Sequence, residues 1–329
     1  MSINLETLRQ STDFLKLKEF AENNKDNFQH YSDAYLQSVV DFIEVIEKHD
    51  EITLARAQEL IKDCDYSIIM NAHRKNDIFN VLISKLCDLL PRRELTVNYD
   101  LQKIVKINLD HYIDCRRNLT LYEFINEFLE CNLPVKISGC EQQNNIGFNE
   151  LLSNHYMRQF PVEIGSKYTD DDWRQEIMSF GEFFDTYFAR DAPNKGYIAQ
   201  FNIFQTISHL ISKFNIPEYA LVRDGEVDVN IWIGPQKTIS PTHFDLKNNI
   251  LTQIVGAKHI ILFDPKLHDF PLAKGFTNTA DIDVKQVQSA DYTKCKSIML
   301  LPGQMLFIPK GWWHYCVSMT SSVSISCWF

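Results

Sequence analysis

Three residues in the carboxyl-terminal third of the chain have the types and spacing of a metal site. His243 and Asp245 stand two residues apart in SPTHFDLKNN (240–249), and His314 follows in GWWHY (311–315). On a strand, residues i and i+2 share one face, roughly 6.5–7 Å apart, and a neighbouring strand can add His314. Two imidazoles and a carboxylate that leave one side of the ion open are the ligand set of non-haem Fe(II) oxygenases. The pattern predicts an iron site that activates oxygen; the alternative for an isolated H-x-D is a strand end with a casual ion pair.

A lysine stands thirteen residues after Asp245, where an apolar segment begins. Lys258 opens KHIILFDP, which has the composition of a buried strand. Burying an ammonium group is costly unless it meets an anion, and a dicarboxylate cosubstrate would supply one. The alternative is that the Lys258 side chain reaches solvent along the strand edge. His314 could also be a structural residue, because most lone histidines have their hydrogen bonds satisfied within the core.

The segments around these residues have the composition of short strands. They are rich in β-branched and aromatic residues and are interrupted by Pro-Gly or Asp-Pro. Many short strands late in a chain predict a double-sheet jelly roll of the cupin kind, with a helix between strands in TDDDWRQEIMSFGEFFDTYFA (169–189). The predicted strands are LPVKISG (133–139), VDVNIWIG (227–234), KHIILFDP (258–265), SIMLLPGQMLFIP (297–309) and VSISCWF (323–329).

The first third of the chain has helical periodicity instead. Apolar residues recur at three- and four-residue spacing between Leu36 and Ile46, and again between Ile78 and Leu90, where Pro91 ends the run. This region would serve docking or support.

Thr120 and Glu123 form a capping box that predicts a helix in LYEFINEFLE. We therefore expect an α+β protein, with a helical domain over residues 1–117 and a catalytic jelly-roll domain over 118–329.

Composition narrows the function classes. The 329 residues are 45% hydrophobic and 23% charged, which is typical of a soluble globular protein. The net charge of −10 argues against broad binding to a nucleic-acid backbone and suits a cationic partner. Eight cysteines are scattered without a CxxC pair, which indicates reduced thiols. Neither a leader-like segment nor an apolar run of membrane-spanning length occurs, so we expect an intracellular protein, nuclear or cytoplasmic, with no direct nucleic-acid or membrane partner.

Longer motifs around the candidate site resemble one family. From about residue 118 to Phe329 the chain is similar to the JmjC-domain Fe(II)/2-oxoglutarate oxygenases. The motifs that carry the likeness are VEIGSKYTDDDW (162–173), GYIAQFNIF (196–204), WIGPQKTISPTHFD (232–245), FIPKGWWHY (307–315) and the terminal SISCWF. The resemblance implies that the metal is Fe(II) and that 2-oxoglutarate and O2 are cosubstrates, filling the coordination positions that three protein ligands leave open.

The resemblance also implies roles in the cosubstrate pocket. His243, Asp245 and His314 match the iron ligands of the family, and Lys258 matches the lysine that pairs with the distal carboxylate of 2-oxoglutarate. Polar residues that line the pocket in the family match Tyr197, Ser240 and Asn249.

On the substrate side the matches are Trp232 and Glu163, on a wall where an acidic group holds a guanidinium. Core packing is the alternative for Trp232, and a solvated surface charge is the alternative for Glu163. Trp328 matches an aromatic residue near the pocket. The chain departs from the pattern that it resembles at Thr242 and Phe244, which flank His243, and in the Leu-Lys pair after Asp245.

Three functions are compatible with these residues. The first is a hydroxylase acting on an arginine side chain of a protein or peptide, supported by the acidic charge, Glu163 and the TDDD run. The second is an N-methyl-lysine demethylase, which hydroxylates a methyl group with the same triad; the lack of clustered Cys/His zinc modules favours the first. The third is a binding module without activity, against which the joint presence of His243, Asp245, His314 and Lys258 argues.

Overall fold

The computed structural model of the chain describes residues 1–24, 33–70, 78–93, 97, 110–139, 146–188, 195–282 and 295–329. Within them, no helix is both long and apolar enough to cross a membrane. The helices are Glu6–Arg9, Thr12–Asn23, Asp33–Lys48, Leu54–Met70, Ile78–Asp88, Leu121–Glu123 with the π-helical turn Phe124–Leu129, Phe148–His155, Phe180–Tyr187 and Ile203–Thr206, with 3-10 turns at Ser208–Lys213 and Glu218–Ala220.

The described residues of the first third are mainly helical, as the periodicity of this region predicts. Its helices bury one face each around a common core; Val39, Phe42 and Ile46, at helical spacing, are fully buried there. Helix Ile78–Asp88 ends shortly before Pro91, as predicted. Periodicity does not predict the small two-stranded antiparallel sheet of β1 (Ser2–Asn4) and β2 (Glu51–Thr53), which is held by three residue pairs.

The described residues that follow fold mainly into two sheets. Their strands are β3 (Asp114–Arg117), β4 (Val135–Ser138), β5 (Gln159–Ile164), β6 (Arg174–Ser179), β7 (Gly196–Phe201), β8 (Asp228–Gly234), β9 (Ile239–His243), β10 (Asn249–Val255), β11 (Lys258–Phe263), β12 (Lys296–Leu300), β13 (Met305–Ile308), β14 (Trp313–Ser318) and β15 (Ser322–Trp328). The larger sheet has the strand order β3-β4-β13-β10-β15-β8-β7-β5-β6, and the smaller has the order β12-β11-β14-β9.

The large sheet is buried on both faces in its centre. Successive residues of β10 alternate between two cores, since Ile250 packs on the side of the helices and Leu251 packs on the side of the small sheet. From the small sheet, Ile260 and Leu262 of β11 face Leu251 across the sandwich. This is the double-sheet architecture that the strand pattern predicts, and the α+β fold class with a cupin-like jelly roll is confirmed.

Two local predictions need correction. The helix predicted over 169–189 is confined to Phe180–Tyr187, because Arg174–Ser179 forms strand β6 and pairs with β5 along its whole length. Tertiary pairing overrides local propensity here, and a capping box between Ser179 and Glu182 starts the helix only afterwards.

The capping box at Thr120 and Glu123 is confirmed, although the helix continues as a π-helical turn over Phe124–Leu129. Strand β3 lies on the helical side of the proposed boundary at 117/118 but pairs in parallel with β4 of the large sheet. The boundary itself stays a prediction.

Candidate active site

Strand pairing brings the three predicted metal ligands together. In the pairing of β9 with β14, His243 stands directly opposite His314. The prediction that Asp245 shares a strand with His243 is wrong, because β9 ends at His243. Asp245 lies in the segment that follows, where its carbonyl oxygen accepts a hydrogen bond from Gly311 N–H at 2.8 Å. Its carboxylate lies 4.0 Å from His243 Nε2 and 3.8 Å from His314 Nε2.

A bulge in β9 sets the direction of these side chains. Across the pair, His314 faces His243 and Cys316 faces Ser240, so three steps along β9 match two along β14. One extra residue in a strand re-aims the side chains that follow it. Ser240 and His243 therefore line the same cavity although their odd separation would place them on opposite faces of a regular strand.

Each histidine is oriented by a backbone carbonyl. His243 Nδ1 lies 2.7 Å from the carbonyl oxygen of Pro241, and His314 Nδ1 lies 2.9 Å from that of Trp312. Donation from Nδ1–H leaves the Nε2 lone pairs free for a metal ion, and outer contacts of this kind fix metal-binding imidazoles in many proteins. Burial and the neighbouring His314 lower the pKa of His243 to about 4, so its ring is neutral, as a ligand must be.

The donor set fits a divalent iron ion. One ligand atom from each of His243, Asp245 and His314 lies within 4.8 Å of the others, and among the described residues this is the only such cluster of histidine, cysteine and acidic groups. Two neutral imidazoles and one carboxylate, with open space on the cavity side, match the preference of non-haem iron sites.

Lys258 occupies the deep end of the same cavity. It is the first residue of β11 and its side chain is almost fully buried, at 3% exposure, so the alternative of a solvent-reaching lysine is wrong. Its Nζ donates to the hydroxyl of Tyr197 at 3.1 Å and lies 5.6 and 5.7 Å from the ring centroids of Tyr197 and Trp232. Burial lowers the pKa of Lys258 to about 8, against a smaller opposing effect of Cys316.

Two buried polar atoms near Lys258 lack protein partners. Asn249 Oδ1 and Trp328 Nε1 are inaccessible to solvent and form no hydrogen bond within the described part of the chain. These residues, which pair across β10 and β15, line a small cavity of about 30 Å³ together with Ser240, Lys258 and the three candidate ligands. Because buried polar groups are normally satisfied, the unpaired atoms indicate a place for polar groups of a ligand.

A larger cavity of about 630 Å³ leads from the metal ligands to the surface. Glu163 of β5 lies in its wall opposite Tyr197 of β7 in the strand register. Burial raises the pKa of Glu163, and a hydrogen bond from the side chain of Trp173 opposes this shift. Trp232 also lines the cavity, and its indole N–H donates to Ser326 Oγ at 2.8 Å. Glu163 is therefore partly buried in the pocket and is not a fully solvated surface charge.

Tyr168 and Thr279 also line this wall, and neither was predicted as a site residue from the sequence. Their hydroxyl oxygens lie 3.2 Å apart and bridge the segment after β5 and the segment 264–282. Tyr168 belongs to the motif VEIGSKYTDDDW, which offered a signal. Thr279 offered none, because its place depends on isolated pairing with His243.

Comparison with known proteins agrees with this geometry. Residues 120–329 match the family model described as "Cupin-like domain". A zebrafish protein named "Lysine-specific demethylase 8" is 28% identical over 305 residues, which are 83% of this chain and 74% of the relative. A fruit fly protein named "Jumonji C domain-containing protein 5" is 36% identical over 231 residues, or 64% of this chain and 58% of the relative.

Other relatives share a smaller part of their length. The Arabidopsis thaliana protein "Lysine-specific demethylase JMJ30" is 31% identical over 239 residues, 66% of this chain and 54% of the relative. The chain thus spans little more than half the length of the fly and plant proteins. The chain belongs to the cupin-like family, in its group of JmjC-domain 2-oxoglutarate oxygenases.

Proposed function

We propose that this protein is an Fe(II)- and 2-oxoglutarate-dependent hydroxylase that acts on an arginine side chain of a protein substrate. The observation that carries the proposal is that one cavity contains both a candidate metal site and a candidate site for an anionic cosubstrate. A cluster of two histidines and one aspartate lies at its side, and a buried lysine without a carboxylate partner among the described residues lies at its end.

The metal would be held by His243, Asp245 and His314. Bound there, Fe(II) supplies the activation of O2 at the expense of 2-oxoglutarate, which is oxidised to succinate and carbon dioxide while one oxygen atom enters a C–H bond of the substrate. The protein's own contribution is to fix the two imidazoles through the carbonyls of Pro241 and Trp312, so that neither ring rotates when the ligands around the ion change.

The cosubstrate would lie between the metal ligands and Lys258. The Lys258 ammonium supplies a charge-assisted hydrogen bond to the distal carboxylate, and Tyr197, whose hydroxyl accepts from the same ammonium, holds Lys258 in place. Asn249 has a free Oδ1 and an amide N–H2 group beside this path. Ser240, which the bulge turns into the cavity, adds a hydroxyl.

The substrate side chain would enter through the larger cavity. Glu163 supplies a carboxylate that suits the fork of guanidinium donors, and Trp173 lines the cavity wall with it. Trp232, held by Ser326, forms the inner wall between this entrance and Lys258. Together these groups would hold a cationic side chain in the cavity that His243 and Asp245 also line.

A lysine demethylase is the second candidate, and the names of the zebrafish and Arabidopsis relatives favour it. The same carboxylate at Glu163 attracts a methylammonium group, and hydroxylation of a methyl group releases formaldehyde. The two functions differ in the atom presented to the metal and not in the residues that bind it.

The experiment is mass spectrometry of peptide libraries after reaction with Fe(II), 2-oxoglutarate and O2. Arginine peptides and matched N-methyl-lysine peptides would be offered in equal amounts. A gain of one oxygen on arginine supports the proposal. Loss of methyl groups together with formaldehyde, and no change on arginine, would reverse the order of the two candidates.

A further inference from the structure

A buried ion pair joins the helical region to the start of strand β5. Asp65 of helix Leu54–Met70 and Arg158, the residue before β5, are both 0% exposed. Arg158 Nε lies 2.9 and 3.0 Å from the two carboxylate oxygens of Asp65, and one terminal nitrogen lies 2.8 Å from the carboxylate. The carboxylate also accepts from the backbone N–H of Gln159, at 2.9 Å.

The helical region also accepts two further hydrogen bonds from this guanidinium. Arg158 donates to Ser84 Oγ at 2.8 Å and to Asn80 Oδ1 at 3.2 Å, and both partners are buried in helix Ile78–Asp88. Asn80 Nδ2 in turn donates to the carbonyl of Gln205, at 2.9 Å. Because a buried charge is costly to leave unpaired, this network holds Arg158 in one place.

The hydrogen bonds of Asp65 and Asn80 reach two neighbouring strands, β5 at Gln159 and the end of β7 through Gln205. Strands β5 and β7 are antiparallel, with Glu163 opposite Tyr197. The start of β5 therefore lies beside the end of β7, which is followed by the Ile203–Thr206 helix and Gln205. Glu163 is four residues from Gln159, the first residue of β5, so the anchored end and the pocket wall belong to one short strand.

We infer that Asp65 and Arg158 are positioning residues for the substrate side of the pocket, so that the helical region is a fixed part of the site and not a detachable docking module. The link to substrate rests on the proposed function; the anchoring of β5 does not. Glu163 keeps its place because the guanidinium of Arg158 and the amide of Gln159 are both held by one carboxylate from the helices.

Hydrogen exchange tests the anchoring without any turnover. In Asp65→Asn the guanidinium loses its charged partner, and we expect the amides of β5 to exchange about tenfold faster. The control is Val39→Ala, which opens a cavity in the core of the helices and touches neither strand. The inference is overturned if β5 exchanges at the same rate in Asp65→Asn and the wild type, or equally fast in both variants.

Kinetics test the consequence for the substrate. With an arginine peptide selected by the library experiment, Asp65→Asn should raise the peptide KM about tenfold. Succinate formation without peptide should change much less than the peptide KM, because His243 and His314 lie on β9 and β14, which the network does not contact. A proportional loss of both activities, or a KM equal to that of Val39→Ala, contradicts the inference.

A double-mutant cycle separates this inference from the proposed guanidinium contact. In the background of Glu163→Gln, the effect of Asp65→Asn on the peptide KM should shrink, because the residue it positions is no longer charged; full additivity would mean that Asp65 does not act through Glu163. If Glu163→Gln alone leaves the peptide KM unchanged, the proposed contact between Glu163 and the guanidinium is wrong. The anchoring of β5 is then tested by the exchange rates of its amides alone. Should Asp65→Asn not fold, Ser84→Ala removes one hydrogen bond to Arg158, and faster exchange in β5 is again required.

Discussion

The two ends of the pocket are built in different ways. At the metal end, His243, His314 and Lys258 stand on three adjacent strands of one sheet, are well buried, and are fixed by backbone carbonyls or by a neighbouring hydroxyl. At the entrance, Glu163 belongs to a strand near the sheet edge, and Tyr168 and Thr279 belong to segments between strands.

The difference separates two proposed tasks of the site, which are binding of metal and cosubstrate at one end and binding of the substrate at the other. Strand register positions Lys258 and the two histidines proposed as metal ligands, because β11, β14 and β9 pair with one another in that order. The entrance depends on contacts from elsewhere, including a carboxylate in the helical region. Loss of a group at the metal end should therefore stop the reaction, whereas loss of a group at the entrance should weaken substrate binding.

The largest effect is expected at the metal. In His243→Ala one of three ligands is lost, so succinate formation should fall to the level of metal-free protein, and the stabilisation of folding by added Fe(II) or a substitute such as Co(II) should disappear. His268→Ala is the control, since His268 packs against Phe263 and Phe270 outside the cavity. Turnover that persists in His243→Ala would show that the metal is bound elsewhere.

The next effect concerns the cosubstrate. Lys258→Met keeps most of the length of the side chain but removes its charge, and we expect the KM for 2-oxoglutarate to rise about 100-fold, as for loss of a buried charged partner. Lys136→Met is the matched control, because Lys136 is also buried but already pairs with Asp110 at 2.6 Å. Steady-state succinate assays at saturating peptide measure both. An equal rise in the two variants would remove Lys258 from the proposed role.

The sequence predicted the metal end better than the entrance, and the reason is physical. An H-x-D pattern, an apolar strand that begins with lysine and a later histidine all carry their signal in local spacing. The bulge between Ser240 and His243 carries none, because it is visible only as a register shift against β14. The contact of Asp65 with Arg158 joins residues 93 positions apart. Local sequence patterns do not predict a contact over that separation.

At the entrance the expected effect is smaller. Glu163→Gln retains the shape of the side chain and removes its charge, so the peptide KM should rise about tenfold, equivalent to ~1.4 kcal/mol, with the KM for 2-oxoglutarate unchanged. The control is Glu176→Gln on the neighbouring strand β6, an exposed residue paired with Arg174. Steady-state kinetics with one arginine peptide compares the two; equal KM values would place the substrate cation elsewhere.

A further difference between the ends is their response to pH, and here the expected effect is smallest. Because the pKa of Lys258 is lowered to about 8, at pH 9 most of the ligand-free protein carries a neutral amine. Binding of the dicarboxylate requires the ammonium, so 2-oxoglutarate should take up a proton as it binds, close to one at pH 9 and close to none at pH 6.5. Affinity should then fall by up to about tenfold per pH unit above pH 8.

Titration calorimetry of the metal-loaded protein under nitrogen measures this uptake, when it is repeated in two buffers of different ionisation enthalpy. Lys258→Met should show no uptake at either pH, while Glu163→Gln should behave as the wild type, since Glu163 lies at the other end of the pocket. The same uptake in Lys258→Met would assign the proton to another group. Equal proton uptake in Glu163→Gln and in the wild type would show that the charge of Glu163 at the entrance does not influence the titration of Lys258.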